Sequence, residues 1–301
     1  MAYAQRNVKE FGIKDEFFKK ALVRPFDSKF TYFTNKSKGF IAFPVYDTMR
    51  HLAHQDQSKN LGLIIGKSGN VVGDMPWNLC FVTNTIVDLN IFYRGGGYVY
   101  PLYVDTSKAV NQGDSSTQEL GDEKETIISN LNGDIIKKLS DCLRVEPSPE
   151  DLLDYIYAIL HSSNYREKFK EQLKYQFPRI PYPQNEEEFK KLASLGNHLR
   201  HLHLMDNTAA WKAKSKFPFK GNGSSIIVKP QWKDGKVYIN KENYYDNVPE
   251  DYIGGYQIAE KWLKDRKGTE LDFNSIIHYS NILYVLTQTI YLSKEIDKIY
   301  I

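Results

Sequence analysis

The period of the hydrophobic pattern changes partway along this chain, and that change limits its fold more than any other feature. Through the first hundred residues the apolar runs are short and bounded by Gly, Asn or Asp: LGLIIG (61–66), LCFVTN (79–84) and YVYPLYV (98–104). Runs of that length read as buried strands. The β-prone stretches 21–26 and 29–33 flank Asp27 and Ser28 as the expected turn, and residues 9–20 and 45–53 read as short helices. Farther on the period becomes helical. Ser148 and Pro149 make an N-cap and first-turn pair, followed by apolar residues almost all round the helix. Apolar residues then recur at helical spacing over 187–205 and 274–297, which predicts long amphipathic helices suited to packing on each other or on a partner. Between them, 224–229 and 236–241 read as a hairpin with Asp234 and Gly235 at its turn.

These patterns predict an α+β fold. A mixed α/β lobe covers 1–108, an acidic polar linker or loop covers 109–130, and a mainly helical lobe covers 131–301 with a β insertion near 224–241. Segment 105–125 carries six acids against two lysines and no large apolar cluster, which suits a linker. Cys80 and Cys142 stand far apart with no CxxC spacing, so neither a disulfide framework nor a thiolate metal site is expected. No apolar stretch approaches the roughly 18 residues of a membrane span, and the N-terminus lacks a signal core. A cytoplasmic protein with no membrane contact is the expectation.

Several tempting sites fail on spacing. Gly62 and Gly66 enclose three residues before Lys67-Ser68, where a phosphate-binding loop needs four, and no helix follows. Gly95–Gly97 and Gly221-Asn222-Gly223 are better explained as turns. None of the twelve prolines is adjacent to another, so the [DNS]-P-P-[YFW] motif of amino-methyltransferases is absent. His198, His201 and His203 on one helix cannot converge, because position 203 points about 140° away from 198. Acid-x-Lys combinations near 167–170 and 186–190 fall on expected helices, not on the strands a metal nuclease would use. No catalytic residue, metal site or cofactor is expected.

Net charge is only +3, but from Asp206 to Lys241 eight lysines stand against Asp206 and Asp234, with aromatic residues between them. Such a stretch suits either a surface that follows phosphates or a solvated loop.

Five blocks occur in order: RPFDSKFTYFT (24–34), PLY (101–103), DLLDYIYAILHSSNYREKF (151–169), FPRIPYP (177–183) and IGGYQIAEKWLKDRKG (253–268). Together they resemble the C-terminal specificity domain of type ISP restriction–modification enzymes and related adenine-specific DNA methyltransferases, from about residue 15 to the end. The resemblance implies a module that reads double-stranded DNA beside an adenine-specific methyltransferase, supplied in cis or in trans, without chemistry of its own. Whole type ISP enzymes add a nuclease and an ATP-driven motor, so the chain is expected to be a split specificity subunit or a fragment. The competing reading is a protein-interaction scaffold that keeps the fold and docks a partner through 187–205 and 274–297.

Base readout needs paired donors or acceptors held on a stiff scaffold. Lys36, Lys38, Arg50, Lys67, Asn78, Asn84, Tyr93 and Arg94 occupy expected strand ends and loops of the first lobe and are the candidates for it. Lys212, Lys214, Lys216 and Lys220 are the candidates for phosphate contact. Arg24 and Asp27 are expected to form a local ion pair.

Overall fold

The computed structural model describes residues 2–34, 36, 38–41, 43, 45–53, 60–66, 77–92, 96–106, 127–206, 216–249 and 253–300. The first helix, α1 (Ala2–Phe11), comes earlier than the helix expected over 9–20. Gly12, at φ 75°, ends it in a conformation that only glycine adopts without strain. Residues 18–20, which the helical reading had included, enter strand β1 (Phe18–Arg24). Helix α1 is fastened by Asn7, whose amide donates to Thr34 Oγ1 at 2.9 Å.

Strand β1 pairs antiparallel with β2 (Asp27–Tyr32). The turn between them is Pro25-Phe26, not Asp27-Ser28. Proline presets the first turn position, and Phe26 takes the left-handed conformation at φ 62°. A short helix, α2 (Tyr46–Met49), lies where the pattern placed one. Strands β3 (Gly62–Gly66) and β4 (Cys80–Thr83) are buried at every position. Strand β5 (Ile86–Val87) runs parallel to β1 and completes the first sheet. Strand β6 (Gly97–Pro101) completes the second, in the order β4-β3-β6. Strand β7 (Tyr103–Asp105) pairs with β8 (Ile127–Ser129), so residues 127–129 of the expected linker are part of a ladder.

The helical part comprises α3 (Gly133–Leu143), α4 (Pro149–His161), α5 (Ser163–Lys168), α6 (Lys170–Tyr175), α7 (Glu186–Leu204), α8 (Ile253–Lys264) and α9 (Phe273–Asp297). Five of these begin on capping side chains: Asn132, Ser148, Ser162, Asn185 and Asp272 accept from the backbone N–H groups of Asp134, Asp151, Tyr165, Glu188 and Ser275. The tightest helix pair is α4 with α7. A Cβ added at Gly196 would overlap the Asp154 carbonyl, so glycine is what allows the two backbones to meet. Across the same contact Arg200 grips the Asp154 carboxylate at 2.7 and 3.0 Å, and Asn197 adds a third hydrogen bond at 2.9 Å. Helix α9 buries Tyr279–Leu286 almost continuously, packing on α7 and α4 and, through Tyr279 against Tyr245, on the small second β unit. The apolar faces of 187–205 and 274–297 are therefore used inside this chain.

That β unit is a four-stranded sheet in the order β10-β11-β12-β9, formed by β9 (Phe219–Lys220), β10 (Gln231–Lys233), β11 (Lys236–Tyr238) and β12 (Tyr244–Tyr245). Asp234 and Gly235 do form the turn, with φ of 49° and 74°. A two-residue loop obliges Lys233 to face Lys236, so β11 pairs with 231–233 rather than with the expected 224–229. The latter segment instead bridges Glu270 through Ile226.

The sequence blocks bind one another. Tyr155 and Tyr165 donate their hydroxyls to the Pro181 and Arg179 carbonyls, each at 3.0 Å, joining the third block to the fourth. Arg266 pairs with Asp27 at 2.8 Å, joining the last block to the first across 239 residues. The expected Arg24–Asp27 pair is therefore replaced by a long-range one, and Arg24 donates to the Val23 carbonyl.

Candidate nucleic-acid interface

An open cleft of about 500 Å³ lies where the β1–β2 hairpin, the β4–β5 turn, the end of α7, the end of α8 and the first turn of α9 meet. Its apolar surface includes Phe26, Phe81 and Trp262, and its polar groups include Lys20, Ser28, Asn84, Asn274 and Ser275. Lys20 and Asn274 are exposed, and Ser28, Asn84 and Ser275 are half-buried. An apolar floor with a few convergent donors and acceptors is the usual build of a recognition site.

The cleft is braced by charges already in use. Asp27 is buried, and its carboxylate is met by Arg266, whose guanidinium also lies 3.7 Å over the Trp262 ring. His278 Nε2 donates to the Phe26 carbonyl at 2.7 Å, fixing the left-handed turn from α9. Burial holds the His278 pKa below its ordinary value, which keeps the ring neutral.

Phe26, Phe81 and His203 form a wall shared with a second cleft of about 270 Å³. The Phe81 and His203 rings stack 11° from parallel at 5.3 Å. Thr289 donates its hydroxyl to the Val285 carbonyl, so it accepts from His203 Nε2–H at 2.8 Å. His203 Nδ1 is then the acceptor for the Tyr157 hydroxyl, and the ring is neutral. Burial, helped by the Arg166 charge, pushes the His203 pKa down to about 3. His161, donating through Nδ1 to the Tyr157 carbonyl at 2.9 Å, is likewise held well below the usual histidine range by burial and by Arg166. The expectation that His198, His201 and His203 do not converge agrees with this placement: His203 is buried, while His198 and His201 are exposed. Among the described residues no group of three or more His, Cys, Asp or Glu side chains could hold a metal ion.

The residues selected from sequence are spread over several places. Asn84 lines the large cleft and Asn78 the second one. Lys36 and Lys38 lie beside α1, where Lys36 pairs with Glu10 at 3.0 Å and Lys38 lies 5.9 Å from the Tyr3 ring centroid. Arg6 approaches the same ring at 5.5 Å, giving this corner several exposed cations. Arg50 is spent on the fold: it donates to the Asp105 carbonyl at 3.0 Å and faces the Asp105 carboxylate. Lys220 pairs with Asp246 at 2.6 Å, and Lys216 lies 5.5 Å from the Tyr284 ring. Lys67, Tyr93, Arg94, Lys212 and Lys214 lie outside the described residues. Sequence reasoning did not select Lys20, Asn274 or Arg166. The signal for the large cleft was the joint presence of the first and last blocks, which the Asp27–Arg266 pair brings together.

Several solved structures share this fold, among them three determined with DNA or a DNA mimic. The chain matches the ATP-dependent Type ISP restriction–modification enzyme LlaBIII bound to DNA, with a TM-score of 0.65 and 18% identity over 97% of this chain and 19% of that one. It matches the DrdV–DNA complex with a TM-score of 0.69 and 18% identity, over 94% of this chain and 28% of that one. A nuclease-deletion mutant of the Type ISP enzyme LlaGI, in complex with a DNA substrate mimic, gives 0.60 and 19% over 94% of this chain and 21% of that one. The chain thus spans less than a third of each of these proteins. No curated protein matches. A family model, the Type ISP C-terminal specificity domain, matches residues 3–295. With that match covering nearly its whole length, the chain belongs to the Type ISP C-terminal specificity domain family.

Proposed function

We propose that this chain recognises a target sequence in double-stranded DNA for a restriction–modification enzyme of the Type ISP kind. The observation that carries the reading is the family match over 3–295, supported by three proteins of the same fold whose structures were solved with DNA or a DNA mimic. In this reading the large cleft and its rim supply base contacts. The Asn84 and Asn274 amides each carry a donor and an acceptor complementary to the N7 acceptor and N6 donor of adenine in the major groove, and Lys20 would meet guanine or phosphate. The exposed cations Arg6, Lys36 and Lys38 contact the backbone. The division into a reading lobe over 1–108 and a supporting lobe over 131–301, joined through 109–130, belongs to the same proposal. So do a cytoplasmic location, the absence of catalysis by this chain alone, and a partner adenine-specific methyltransferase.

The test is binding of mixed-sequence and selected duplexes by fluorescence anisotropy over a range of salt. Recognition requires a linear fall of log K with log salt and, beyond it, a preference for one short sequence. Salt-dependent binding with no sequence preference would reject target recognition.

A second reading, partner docking, rests on a different feature. Phe43, Val45, Leu89, Tyr98 and Tyr100 are exposed around a groove of about 350 Å³ beside α2 and β6. Such a face suits a protein partner; in this reading the methyltransferase contact would lie on the first lobe rather than on helices α7 and α9. Charged substitutions at Tyr98 and Phe43 would weaken a methyltransferase complex without changing duplex binding if this is correct.

A further inference from the structure

The second cleft holds an arginine in an unusual electrostatic setting. Arg50, Arg200 and Arg266, all at least half-buried, each meet a carboxylate. Arg166, also half-buried, is held by neutral groups instead. Its Nε donates to the Leu160 carbonyl at 2.7 Å, its Nη2 lies 3.6 Å from Cys80 Sγ, and its guanidinium lies 5.8 Å from the Trp77 ring centroid. These contacts engage Nε and Nη2 and hold the guanidinium in one orientation. The described residues that line the cleft include Asn78, Ser163, Ser293 and Lys294, and none is acidic. Asp297, one turn beyond Ser293, is committed to the Ser162 hydroxyl at 2.7 Å and the Asn164 N–H at 3.2 Å.

A fixed cation in a recess without a carboxylate creates a positive field, and the neighbours register it. After burial, Arg166 is the next cause that holds His161 and His203 neutral. Both histidines are thereby prevented from adding charge, and neither can neutralise the guanidinium. A recess of this charge favours an anion. The cleft volume, about 270 Å³, exceeds that of a phosphate group and leaves room for the atoms attached to it.

We propose that this cleft binds a phosphate group, with Arg166 as the charged anchor and Asn78, Ser163, Ser293 and Lys294 as further donors. Arginine suits the role because its planar fork can give two parallel hydrogen bonds to phosphate oxygens. If the DNA reading holds, on which the choice of source rests, the group is a backbone phosphodiester. Arg166 then fixes how the chain lies on the duplex and carries no sequence information.

The experiment compares the full chain with Arg166→Gln and Ser293→Asp. Each protein is titrated with inorganic phosphate against a chloride control of equal ionic strength, read as a shift in Tm. Each is also titrated with a mixed-sequence duplex at several salt concentrations. Loss of the Leu160 bond could unfold the first variant. The second leaves Arg166 in place, adds a carboxylate to the lining, and keeps the test open.

A duplex phosphate predicts that both variants bind every duplex about tenfold more weakly and that the salt slope becomes shallower by about 0.9. A phosphate-dependent Tm shift that both variants lose, with duplex binding unchanged, supports the anion site and assigns it to a free phosphate. If the wild-type chain binds no duplex, the DNA reading fails and the phosphate titration alone decides the site. If the variants match wild type in both titrations, the proposal is overturned.

Discussion

Two arginines face two clefts that share one wall, and the protein treats them in opposite ways. Arg266 is neutralised by Asp27 and stacked on Trp262, so it ties the last sequence block to the first hairpin. Arg166 is held by a carbonyl, a thiol and an indole, none of which cancels its charge. Both belong to basic clusters that look alike in sequence, DRKG (265–268) and NYREKF (164–169). The comparison teaches that charge density does not locate a ligand surface in this chain; the partner of each charge does. Arg266 positions the scaffold, whereas Arg166 is the one left to meet an anion.

The wall between the clefts should give the largest effect. His161, His203 and His278 are all held below the ordinary histidine pKa of 6.5 in the fold. An unfolded chain therefore binds more protons than the folded one as pH falls below about 6.5. Stability should be complete above that pH and decline toward pH 3, where His203 itself would protonate. Each histidine contributes up to about 1.4 kcal/mol per pH unit in the window. Urea unfolding between pH 7.5 and 4.5 measures this, and replacing His203 with Gln should flatten the profile. A profile unchanged by that substitution would mean that the wall is not what acid attacks.

Next in size is the structural arginine. Arg266→Ala should remove about 3 kcal/mol, because it leaves the Asp27 carboxylate buried without its partner. Asp27→Asn combined with Arg266→Gln should recover part of that loss, and the double-mutant cycle reports the coupling. Arg166→Gln should cost about 1 kcal/mol in the same assay, the value of an ordinary hydrogen bond. Equal losses for the two arginines would erase the distinction drawn between them.

Binding effects follow. Asn84→Ala should relax one position of the target by about tenfold while leaving affinity for non-specific duplex intact. Smallest of all, Lys36→Ala with Lys38→Ala should weaken binding to all duplexes about threefold at low salt and less at high salt. Their exposure and the Glu10 pairing limit what they contribute.

Helices α4, α7 and α9 were legible in the sequence because their information is local. Ser148-Pro149 marks the start of α4, and apolar spacing alone locates α7 and α9. The α+β class followed from the change of period. The site was less legible because its geometry is made by distant pairs. Nothing near Asp27 announces Arg266, and the local choice, Arg24, is sterically closer in sequence yet turned to the Val23 carbonyl. A phenylalanine in the left-handed turn position is likewise invisible to a rule that assigns such turns to Asp and Ser. Arg50 looked available until its strand neighbour Asp105 was brought beside it by folding. Asn84 was selected as a strand-end polar residue, and the structure places it on the cleft for that reason.

The proposed target recognition depends first on sequence-dependent duplex binding. The most direct measurement is equilibrium competition between a selected duplex and a mixed-sequence duplex for the full chain, at several salt concentrations. Target recognition requires both affinities to fall along parallel log–log lines as salt rises, while the preference for the selected duplex persists at about a thousandfold or more. Equal affinities at every salt concentration, or no duplex binding even at low salt, would contradict it.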